Sequence, residues 1–109
     1  MIRVMILRKD GNMTGFEISG HAESGPHGHD LVCAAVSAVS FGAVNAVIRL
    51  SECEPAIEQG GEGGYLRIEL PEDLGQDQLD KASLLLEGML VSLQTIERDY
   101  SQYITISEK

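Results

Sequence analysis

Tryptophan is absent from this 109-residue chain, aromatic residues make up only 5%, and there are just two cysteines. With so few aromatics, the core must be filled by aliphatic side chains. Two cysteines are too few for the disulfide framework of a small secreted domain. The opening segment, Met1 to Arg8, alternates, and is too short and interrupted for the apolar part of a signal peptide. A reducing, cytoplasmic compartment is expected. Basic residues are also scarce: eight Lys and Arg stand against 17 Asp and Glu, for a formal net charge of -9. A protein that tracks a phosphate backbone needs a basic face, so direct nucleic-acid binding is not expected.

What is present is ordinary for a globular protein: 43% hydrophobic and 23% charged residues, in a length that fits a single domain over 1–109. The acidity is uneven. Residues 1–50 balance Arg3, Arg8, Lys9 and Arg49 against Asp10, Glu17, Glu23 and Asp30, so the whole net charge lies in residues 51–109. This half reads as a solvated acidic face or as a steering field for a cationic ligand. The run from Leu31 to Ile48 carries no charge, but it is rich in Ala, Ser and Gly and contains Asn45. It is expected to be a core helix, buried nearly all round, rather than a membrane span.

Periodicity gives the element order. Ile2 to Leu7 and Thr14 to Ser19 read as strands joined by the turn Asp10-Gly11-Asn12. The segment Gly20 to Asp30 holds Gly25, Pro26 and Gly28 and reads as a mobile loop. Asp30 is a good N-cap for a helix from Leu31 to about Leu50. Ala56 to Gln59 and Tyr65 to Leu70 read as strands around a glycine-rich turn, with Leu66, Ile68 and Leu70 facing inward. A second helix spans about Gln76 to Tyr100, with an inward stripe of Ala82, Leu85, Leu86, Met89, Leu93 and Ile96. A last strand covers Tyr103 to Ser107. The predicted fold is α+β: two layers in the order ββαββαβ, with two helices packed on a mixed sheet.

Chemistry concentrates between Gly20 and Ser40. His21 ends the second strand, and Cys33 is the third residue of a capped helix. A thiol in a first helical turn meets backbone N–H groups and the positive end of the dipole, which favour thiolate. A histidine within reach can take the thiol proton and return it to a leaving amine. Helix-start N–H groups can hold an oxyanion. Cys33 and His21 are thus a candidate nucleophilic pair, but each also fits a bland role, as a small buried residue and as a strand-end histidine. Asp30 caps the helix and could also orient His21. Ser37, one turn after Cys33, could bond near the site or be a buried serine bonding its own backbone. His21, His27, His29, Asp30 and Cys33 could instead hold zinc. Cys53, between Glu52 and Glu54, reads as structural or as a bystander.

Gly20-His21-Ala22, followed by Gly28-His29-Asp30-Leu31-Val32-Cys33-Ala34-Ala35-Val36-Ser37, resembles the two motif blocks of the ribosomal-processing cysteine protease family (Prp). The likeness covers essentially the whole chain. It implies a cysteine endopeptidase that removes the N-terminal extension of large-subunit ribosomal protein twenty-seven, with Cys33 and His21 catalytic and Asp30 and Ser37 supporting. It also implies a homodimer, a gate formed by the loop with Gly25, Pro26 and Gly28, and a substrate whose hydrophobic, aromatic-ended leader precedes a basic stretch. No metal or other cofactor and no membrane partner are implied; the partner is a ribosomal protein precursor. The loop departs from the family in carrying His27 before Gly28, where an aromatic residue is common. A rival reading is a non-catalytic ribosome-assembly factor that binds a basic peptide. Alkylation separates the two: near neutral pH, iodoacetamide should label Cys33 much faster than Cys53, as read by peptide mass spectrometry, and equal rates would count against a nucleophilic Cys33.

Overall fold

A computed structural model of the chain describes residues 1–21, 30–60 and 64–109. The elements follow the expected order: β1 (Ile2–Lys9), β2 (Asn12–Ser19), α1 (Leu31–Leu50), β3 (Ala56–Gln59), β4 (Tyr65–Glu69), α2 (Gln76–Asp99) and β5 (Ile104–Glu108). The first hairpin closes through Asp10 and Gly11, both left-handed at φ 53° and 83°. Two consecutive positive φ values make the tight turn whose twist matches a right-handed strand pair. The turn therefore takes two residues, and β2 begins at Asn12, earlier than the alternation alone suggests.

The five strands form one mixed sheet in the order β3-β4-β2-β1-β5. β1 pairs with β5 in parallel, and the other three pairings are antiparallel. Hydrophobic alternation decides which face is covered. Val4, Ile6, Phe16, Ile18, Leu66 and Ile68 are buried in one cluster. Their neighbours Arg3, Met5, Glu17 and Arg67 stay at least partly exposed on the other face. Val32, Val36, Val44 and Val47 of α1 and Leu86, Met89, Leu90 and Leu93 of α2 complete the same cluster. Both helices therefore lie on one side of the sheet. Leu85 and Ile96, expected inward, are only half-buried at its margin.

Contrary to the expectation from its composition, α1 is not buried all round. Leu31 is 75% exposed and Leu50 58%, and Phe41 and Ile48 are also open to solvent. The buried positions Val32, Val36, Ser40, Val44 and Val47 form a single stripe. The reason is architectural: in two layers a helix has the sheet beneath it and a helix beside it, with nothing above. On α2, Leu84 and Val91 are 73% and 62% exposed.

One buried polar contact ties α2 to the hairpin. The Met13 N–H donates to Ser83 Oγ at 3.0 Å, just past the irregularity in the β1–β2 ladder between Leu7 and Arg8. Ser83→Ala would deprive a buried donor of that acceptor, at a cost of about 1–3 kcal/mol. In urea denaturation Ser83→Ala should lose that much stability, whereas Ser92→Ala, on the exposed side of α2, should change it by less than about 0.5 kcal/mol.

Candidate active site

The start of α1 is built by its cap. Asp30 has extended backbone (φ -80°, ψ 92°), and its side chain accepts the Cys33 N–H at 2.9 Å. Its carbonyl accepts the Ala34 N–H at 3.1 Å. The cap holds half-buried Cys33 in the first helical turn, as its position in the sequence suggests. It also narrows the expected oxyanion site. The N–H groups of Cys33 and Ala34 are already engaged, so neither offers a ready donor to a reacting carbonyl. The helix start also contributes the field of its positive end, which the Asp30 carboxylate partly opposes.

His21 leaves the end of β2 through Gly20, whose φ is 90°. A side chain on Gly20 would run into the Met1 carbonyl. The Gly20 N–H donates to the Gly64 carbonyl at 2.8 Å. The Met1 nitrogen donates to the His21 carbonyl at 2.6 Å. The His21 backbone is thus tied on one side to the start of β1 and, through Gly20, to the start of β4.

His21 and Cys33 line the same cavity of about 320 Å³. Ser37 lines it as well. Ser37 is exposed, so the buried-serine reading fails for it; Ser40 fills that role, donating to the Val36 carbonyl at 2.7 Å. Asp30 is not on the cavity wall, and its described role is the cap. Cys53 is buried away from the cavity, its Sγ 3.2 Å from Ser51 Oγ, in keeping with a structural thiol. Gly25, Pro26 and Gly28, the expected gate, and His27 and His29 of the zinc alternative lie outside the described residues. Among the described residues, no three His, Cys, Asp or Glu side chains gather into a metal-holding group.

Sequence reasoning missed other residues of this cavity. Phe41 of α1 and Gln59, Gly60, Gly64 and Tyr65, around the ends of β3 and β4, also line the cavity. The signal was the run of glycines around Glu62, which marks close backbone approach as readily as a turn. Tyr65 Oη donates to Glu17 Oε2 at 3.3 Å. Partial burial, and then the Glu17 carboxylate, push this phenol above its usual range, so it stays a neutral donor. Arg67 beside it is held more firmly protonated by its hydrogen bonds to Glu69 and Glu17.

Comparison with known proteins places the chain in a family. The family model described as Cysteine protease Prp matches residues 1–105. The Ribosomal processing cysteine protease Prp of Bacillus subtilis (strain 168) is 51% identical over 108 residues, covering 98% of this chain and 96% of the relative. The protein of the same name from Staphylococcus aureus (strain Mu50) is 44% identical, with both chains covered in full. A crystal structure of the S. aureus protease Prp in complex with a covalently linked product peptide superposes with a TM-score of 0.91 at 44% identity, again over the whole of both chains. A second S. aureus structure, in complex with a substrate peptide, gives a TM-score of 0.85 at 43% identity with the same full coverage. With a matching family model over nearly its whole length and relatives at this identity, the chain belongs to the Prp family of cysteine proteases.

Proposed function

We propose that this protein is the endopeptidase that removes the N-terminal extension of large-subunit ribosomal protein twenty-seven, a step needed for ribosome assembly. The observation that carries the mechanism is that His21 and Cys33, twelve positions apart, line one cavity. Cys33 Sγ attacks the scissile carbonyl as thiolate, and His21 takes the thiol proton and delivers it to the leaving amine. Water, deprotonated by His21, then attacks the acyl-enzyme, and Sγ departs. A product peptide held covalently, as in the S. aureus relative, is what nucleophilic catalysis leads one to expect.

The supporting residues take distinct tasks. Asp30 positions Cys33 by capping its helix. Ser37, exposed on the cavity wall, offers a hydroxyl to the bound peptide. Gly25, Pro26 and Gly28 form the gate that the family resemblance implies. The acidic half of the chain suits a substrate with a basic stretch behind its cleavage point, and the partner is a protein, not RNA. The enzyme works in the cytoplasm, as a homodimer. Exposed Leu84 and Val91, flanking the bare Gly88 on α2, are the candidate contact for the second copy.

Cys33→Ala should abolish cleavage of the precursor protein while keeping the fold, a loss of at least about a thousandfold. Cys33→Ser should be nearly as inactive, because a hydroxyl is far less acidic than a thiol. His21→Ala should lose activity and slow the alkylation of Cys33. Mass spectrometry of the precursor reads all three, and full activity in either cysteine variant would sink the mechanism.

Leu84→Glu combined with Val91→Glu should shift the mass in solution from dimer to monomer by light scattering. A double variant that stays folded and dimeric would put the contact on another surface.

A further inference from the structure

Gly64 immediately precedes β4, with a left-handed backbone at φ 75°. A Cβ built there would lie 2.6 Å from His21 Nε2, 3.1 Å from Cε1 and 3.3 Å from Cδ2. These are the three atoms at one corner of the imidazole, so the ring rests directly on the bare Gly64 backbone. No real Cβ tolerates a contact of 2.6 Å, so with a side chain at 64 either the backbone or the ring must move. The backbone is held: the Gly64 carbonyl takes the Gly20 N–H at 2.8 Å, and the Met1 nitrogen holds the His21 carbonyl at 2.6 Å. The ring turns about its own side-chain bonds, so it is the part that gives.

We propose that Gly64 is a positioning residue for His21, its missing side chain providing the seat that keeps the imidazole over the cavity it shares with Cys33. The proposal rests on the reading of His21 as the proton carrier of the reaction. A general base works only within hydrogen-bond reach of its proton, and misplacement by about an ångström costs orders of magnitude in rate. Gly64 touches neither substrate nor sulfur in this role; it acts through His21.

The chain carries its own control. Gly11 has nearly the same backbone, φ 83°, but a Cβ there meets nothing within 4 Å. Gly11→Ala therefore imposes the same kind of backbone strain without touching His21. Gly64→Asn is the second probe, because asparagine accepts a positive φ more readily than alanine yet places its Cβ at the same point.

The experiment measures kcat and KM on the precursor protein, and the pH profile of Cys33 alkylation by iodoacetamide, for wild type, Gly64→Ala, Gly64→Asn, Gly11→Ala and His21→Ala. Circular dichroism checks the fold of each. Both Gly64 variants should lose at least about tenfold in kcat with KM little changed. Their alkylation profiles should move toward that of His21→Ala, and Gly11→Ala should match wild type in both readouts. Folded Gly64 variants with wild-type kcat and profile would overturn the proposal, as would a Gly11→Ala variant that loses as much as they do. Under either result, an inactive His21→Ala leaves the reading of His21 standing. An active His21→Ala with unchanged alkylation would bring down that reading and this proposal together.

Discussion

The antiparallel pairing of β2 with β4 is the constraint on which the site depends. The register runs from Gly15 opposite Glu69 to Ser19 opposite Tyr65. Gly15 lies so close to the Ile68 carbonyl that a side chain there has no room. A slip of one residue would turn Phe16 and Ile18 from the core to solvent, so burial pins the register firmly. The same ladder is extended by the Gly20–Gly64 hydrogen bond, which places His21 where the two strands part. The core thus sets the position of a histidine that is itself exposed. The helix start, anchored separately by the Asp30 cap, brings the thiol to the same cavity from the other side.

Charge plays a different part. Arg67 bridges Glu17 and Glu69 on the open face of the sheet, and Arg8 joins Glu87 of α2 to Glu108 of β5. These side chains are partly exposed, and such pairs contribute little to stability. Their effect is on the field. Arg8, Lys9, Arg67, Lys81 and Arg98 all face carboxylates, so much of the limited positive charge is locally neutralised. The surplus of acid then acts at longer range, within the reach that salt allows.

Elements with strong periodicity were legible from residues alone. α1 keeps the bounds expected from the Asp30 cap, and Leu66 and Ile68 of β4, with Leu70 just after it, are buried as the alternation requires. Cys33 and His21 could be singled out because a thiol in a capped first turn and a strand-end histidine have definite chemical meanings. What failed to show was whatever depends on the third dimension. The exposed side of α1 was misread because an apolar composition cannot reveal how many layers a fold has. The engagement of the Cys33 N–H was already implicit in the cap, since an N-cap side chain consumes one of the donors expected at a helix start. The other lining residues Phe41, Gly64 and Tyr65 come from separate elements, and no local pattern links them.

The parallel pairing of β1 with β5 has a consequence for the order of assembly. Ile2 lies opposite Ile104, so this edge of the sheet joins segments at opposite ends of the described chain. The β1–β2 hairpin is local and can form within microseconds of its synthesis. The pairing with β5 must wait until residues 104–108 have been made, and closing so large a loop slows the search. In the interval β1 is a hydrophobic strand with one open edge, the kind of surface that recruits other chains. The five residues of β5 therefore act as a seal that is applied after the other four strands, and a chain truncated before Ile104 would keep that edge open for its whole lifetime.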